Sequence, residues 1–95
     1  MTDVIGLASR LFNRIEWQRV PDTVTREDLT EMIADAIRYL YVVTGRTEQF
    51  KDDMFTVSGG LYSTFSQTLL LDEQEYVLLT AEICFYKKVQ ASVSD

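Results

Sequence analysis

The sequence contains no histidine. That absence removes Ser-His-Asp and Cys-His nucleophilic arrangements, along with every zinc site built on imidazole. Cys84 is the single cysteine among 95 residues, so one copy can form neither an internal disulfide nor a thiolate cluster. Such cysteine usage fits a reducing, intracellular setting. The apolar neighbours of Cys84 mark it as a buried small hydrophobe rather than a reactive thiol. Basic clusters are also missing. Acids outnumber bases fifteen to nine, the net charge is −6, and only Lys87-Lys88 are adjacent cations. A surface that neutralises phosphates needs clustered Lys and Arg, so no grip on DNA is expected. No apolar run approaches the roughly 18 residues that a membrane span requires. The start, MTDVIGLASRLFNR, places an acid before its apolar stretch and has no basic leader, so no secretory signal is expected.

What remains is an ordinary globular composition, 46% hydrophobic and 25% charged, without internal repeats or a low-complexity linker. The length allows one domain with one small core. The expected architecture is mainly α: a small helical bundle of three main helices, with an irregular or short hairpin segment around residues 50–70. Residues 1–95 form a single domain, and 88–95 are a candidate extended C-terminal arm.

The first helix is expected at roughly Asp3 to Glu16, where Val4, Leu7, Ala8, Leu11, Phe12 and Ile15 recur at helical spacing and Thr2 or Asp3 can cap. The loop WQRVPDTV follows, with Pro21 disfavouring a helical Val20. The second helix is expected at Arg26 to Thr44. Thr25 and Asp28 make a capping-box variant, Leu29, Ile33, Ala36, Ile37 and Leu40 supply the apolar face, and Gly45 supplies the stop. Residues 47–71 read as a small hairpin turning at Gly59-Gly60 or as irregular chain, although Leu61, Phe65 and Leu69 are also spaced for a helix. The last helix is expected to start at Asp72, with Glu75 completing a second capping-box variant, and to run to about Val89 or beyond.

That last helix is apolar around most of its circumference. Tyr76, Leu79, Ile83 and Tyr86 form one stripe, Val77, Ala81, Cys84 and Lys88 a second, Leu78 and Phe85 a third. A helix of this kind is either central or shared between subunits. Leu78, Phe85, Lys88, Val89 and Val93 are therefore expected to meet other chains. Trp17 and Tyr62 lie in connecting segments, where they serve either as interface anchors or as caps on the bundle end. The adjacent carboxylates Glu27/Asp28, Asp52/Asp53 and Asp72/Glu73 diverge by about 100° on a helix, which suits solvation or capping rather than paired acid–base work. Asp52-Asp53 do not continue as an EF-hand loop, and Gly59-Gly60 lack the Lys-Ser or Lys-Thr of a P-loop. Neither an enzyme nor a cofactor site is expected.

Two motifs resemble a known family. One is T-x-E-D-L-x-x-x-I-x-x-A-I-x-x-L, Thr25 to Leu40, which ends in T-G-R at Thr44 to Arg46. The other is E-Y-V-L-L-T-A-E-I-C-F-Y-K-K, Glu75 to Lys88. Together they resemble the small head–tail connectors, or adaptors, of long-tailed bacteriophages. The resemblance implies a helical bundle that forms a homo-oligomeric ring, commonly of twelve or thirteen copies. In that family the ring joins the portal protein to a tail-proximal neck or stopper protein, and DNA passes through without specific binding or any membrane contact. It places the chain in the neck of a virion assembled in the bacterial host cytoplasm, with Lys87 to Asp95 reaching towards the portal. A helical regulatory or protein–protein interaction module outside any virion is the alternative expectation.

Overall fold

A computed structural model describes residues 1–15 and 24–93, the side chains of 91–93 excepted. The elements are β1 (Thr2–Asp3), α1 (Val4–Arg14), α2 (Arg26–Val43), two short 3-10 turns (Thr47–Gln49 and Asp52–Met54), β2 (Phe55–Ser58), β3 (Leu61–Phe65) and α3 (Leu71–Val93). Three helices and a small antiparallel sheet make a mainly α fold. Trp17 and the Pro21 loop lie outside the described residues.

Local chemistry sets the helix ends. Asp3 caps α1, its Oδ1 accepting from the Gly6 amide at 2.9 Å. The Thr25/Asp28 box opens α2 reciprocally: Asp28 N–H donates to Thr25 Oγ1 at 3.2 Å, and Thr25 N–H donates to Asp28 Oδ2 at 3.0 Å. At the other end the Arg46 amide donates to Tyr41 O and the Gly45 amide to Val42 O, at 2.7 and 3.1 Å. Gly45 holds φ at 71°. This is the two-bond stop that needs a left-handed residue, and glycine supplies it without a Cβ clash. Thr-Gly-Arg is thus a helix terminator.

The segment after α2 resolves into the expected hairpin. Gly59 and Gly60 both have positive φ, as a tight two-residue turn requires, and Ser58 pairs with Leu61 across it. The sheet order is β1-β3-β2. β1 was not foreseen. It pairs Thr2 with Phe65 and Asp3 with Thr64, and buried Thr2 closes the arrangement. Its Oγ1 donates to Gln67 O at 2.6 Å and accepts from the Leu69 amide at 3.0 Å. Phe65, Phe55, Phe50 and Tyr41 form one aromatic cluster between the sheet and the end of α2, with Phe55 and Phe65 centroids 4.9 Å apart. α2 is central. It packs on α1, α3 and β3, and nine of its residues are buried.

α3 corrects three expectations. It begins at Leu71, and the cap is made by Glu73, whose Oε1 accepts from the Leu70 amide at 3.0 Å. The expected Asp72/Glu75 box does not form, because Glu75 turns to Arg14 instead. Second, Leu78 and Phe85 are not at a seam with other chains. They are 0% and 3% exposed, inside the chain's own core with Val77 and Ala81. Ala81 is small where α3 faces the core, and the larger side chains beside it fill the space around it. Third, Cys84 is exposed rather than buried. The helix continues through Val93, within the expected run to Val89 or beyond.

Phe85→Ala should therefore destabilise the isolated copy by about 3–5 kcal/mol, the cost of a cavity in a packed core. Chemical or thermal unfolding of the variant measures this. Unfolding like that of the unmodified chain would place the ring outside the core.

Candidate functional site

With Val77, Leu78, Ala81 and Phe85 turned inward, the helical repeat of about 100° per residue sends Leu79, Ile83 and Tyr86 directly outward. They are 49%, 56% and 49% exposed. Their spacing of four and then three residues makes one continuous ridge. Half-buried Tyr76 continues the ridge one turn earlier and stacks on Tyr39 of α2, with ring centroids 6.4 Å apart and planes 8° from parallel. Val42 and Val43 extend the exposed apolar surface at the end of α2. Half-exposed side chains of this size present a patch on the order of a few hundred Å2, the scale at which an apolar face on a small protein carries a binding role.

Ion pairs frame this face without covering it. Towards α1, Arg14 Nη1 meets Glu75 Oε2 at 2.8 Å, Arg14 Nε meets Glu82 Oε2 at 3.3 Å, and Arg10 stands 3.7 Å from Glu75. Towards α2, Arg46 Nη2 donates to Glu73 Oε2 at 2.6 Å while its guanidinium lies 4.5 Å from the Tyr41 ring centre. Lys88 Nζ lies 3.8 Å from Asp28 Oδ1. Partly exposed pairs of this kind are each worth about 1 kcal/mol or less, so they orient α3 more than they hold it. Their electrostatics agree with the geometry. The hydrogen bond to Glu75 raises the Arg14 pKa, and the same bond lowers that of Glu75. The Leu70 amide, and after it Arg46, lowers the Glu73 pKa against the opposing effect of burial. The Thr25 amide, with help from Lys88, lowers that of Asp28.

The structure distributes the expected interface residues differently. Lys88 is exposed on α3, and Val89 is half-buried against the core. The backbone of Val93 ends α3, and its side chain lies outside the described residues, as does Trp17. Tyr62 sits on the hairpin, edge-on to Phe55 at 5.3 Å, with its hydroxyl 3.4 Å from Arg38 Nη2. Arg38 also reaches Asp35 and Asp52, so Tyr62 and Asp52 belong to a structural network on α2 and are not gathered with Lys88 or Val89. Leu78 and Phe85 drop out, and Leu79, Ile83 and Tyr86 take their place. The stripe itself was visible in the sequence, but its direction was not.

Among the described residues, no group of three or more His, Cys, Asp or Glu side chains is arranged to hold a metal ion, and no helix is long and apolar enough to cross a membrane. Comparisons with protein-family models, with curated proteins and with solved structures returned no match.

The lowered carboxylates predict acid sensitivity. Asp28, Glu73 and Glu75 bind protons less readily folded than unfolded, so their stabilisation is present above the ordinary carboxylate range and is lost as pH falls through it towards the lowered values. Melting temperature should fall between about pH 5 and pH 3, and Glu73→Gln should flatten that fall while lowering stability at neutral pH. Parallel acid limbs for the two proteins would contradict the assignment.

Proposed function

We propose that this chain is a structural assembly protein of a phage-type virion, similar to the head–tail connectors. In this reading it forms a ring between the portal and a tail-proximal neck protein, in particles assembled in the host cytoplasm, and has no catalytic role. The observation that carries the reading is the apolar ridge of Leu79, Ile83 and Tyr86 on the outer side of a helix whose inner side is already filled. A protein that works alone gains nothing from such a face, and one that assembles buries it against neighbours. The net charge of −6 supports the same reading, because an acidic channel wall repels phosphate and lets DNA slide without sticking.

A second reading, a helical interaction module outside a virion, is favoured by the closure of Leu78 and Phe85 within a single copy. That closure lets the chain fold before it meets any partner, and the same ridge would then dock on one partner protein.

Electron microscopy of the protein mixed with a cognate portal ring separates the two readings. The connector reading expects density on the tail side of the portal with the unmodified chain. It expects that density to disappear with the double variant Leu79→Asp and Ile83→Asp, whose exposed positions leave the melting temperature nearly unchanged. Undecorated portal with the unmodified chain, or full decoration with the double variant, would overturn it.

A further inference from the structure

The molecule carries a second apolar surface, concave where the ridge is convex. A groove of about 320 Å3 runs between α1 and the first turns of α2, walled by Ile5, Ala8, Phe12 and Leu29, with Ser9 and Arg26 on its rim. Its volume matches the lower end of pockets that enclose a small apolar ligand or one or two large side chains. Its position follows from the ion pairs. Arg14 points from α1 to α3, where it meets Glu75 and Glu82. Ile5 and Phe12 leave α1 about 160–180° around the helix from Arg14, so the groove opens on the side turned away from α3. Ridge and groove thus occupy opposite sides of one copy.

We propose that copies of this chain join head to tail, the Leu79–Ile83–Tyr86 ridge of one seating in the α1–α2 groove of the next. This rests on the assembly reading above only in taking the chain to bind itself; it needs no portal. Three observations select a second copy in this orientation. The curvatures are complementary: a row of side chains one helix wide meets a trough between two helices, the ridge-into-groove contact that packs helices elsewhere. A two-fold pairing of ridge against ridge hides one surface and leaves the groove open, whereas the head-to-tail contact buries both on every copy. The charges also agree. Arg26 on the groove rim makes no ion pair among the described residues, and Asp72, in line with the ridge two turns before Leu79, makes none either. Because the two surfaces lie on opposite faces of one copy, the contact repeats, closing into a ring or continuing as a filament.

Site-directed cross-linking tests the orientation. In a Cys84→Ser background, one preparation carries Ile83→Cys on the ridge and another carries Ser9→Cys on the groove rim. Both positions are exposed, so folding is checked by an unchanged melting curve. A short thiol-reactive bifunctional linker is added to each preparation alone and to the mixture. The proposal expects covalent dimers mainly in the mixture, and it expects Ile83→Asp to weaken self-association by at least about tenfold. Ile83→Cys linking efficiently to itself would establish a two-fold pairing and overturn the proposal. Absence of links in the mixture would overturn it too. Decorated portal without the mixed link rejects this seam and leaves the connector reading standing, whereas the mixed link without portal binding does the reverse.

Discussion

A helix in a chain of this size can turn only one side to its own core, and α3 carries large apolar side chains on two. Val77, Leu78, Ala81 and Phe85 complete the packing against α1 and α2. Leu79, Ile83 and Tyr86 then have nowhere to go but outward. Rotating α3 about its axis would exchange the two sets without reducing the exposed total. The surplus belongs to the sequence, and its position on the molecule is fixed by whatever sets the rotation of α3.

Ion pairs at the polar margins accompany that rotation. Arg14 reaches across 61 positions in the chain to Glu75, and Arg46 reaches across 27 to Glu73. Each pair is weak in energy and specific in geometry, and together they accompany the rotation that packing of Val77, Leu78, Ala81 and Phe85 selects. The Thr-Gly-Arg motif unites these functions. Glycine stops α2 with a left-handed residue, and the arginine after it lies over Tyr41 and grips the first turn of α3. Thr-Gly-Arg therefore has a structural purpose in this chain, and the assembly reading rests on the outer ridge instead.

Much of the fold was legible in the residues. Thr25 and Asp28 marked the start of α2, Gly45 its end and Gly59-Gly60 the hairpin turn, because each is a local requirement of backbone geometry. The two-residue strand β1 left no local signal, since it exists only through pairing with β3 more than sixty positions away. The rotation of α3 was illegible for the same reason. With apolar residues at most positions the helical period has no preferred direction, and the inward side is decided only by tertiary packing against α1 and α2. That one ambiguity placed Leu78 and Phe85 at an interface and Cys84 in the core. The stripe through Leu79, Ile83 and Tyr86 was read correctly as a stripe, and only its direction awaited tertiary contacts.

The central claim is that further copies of the same chain cover the outer face of α3. Sedimentation of the full chain over a wide concentration range tests it most directly. The account predicts a mass that climbs from the single-copy 11.0 kDa to multiples of it as concentration rises. A mass that stays at one copy throughout, with the ridge still in water, would contradict it.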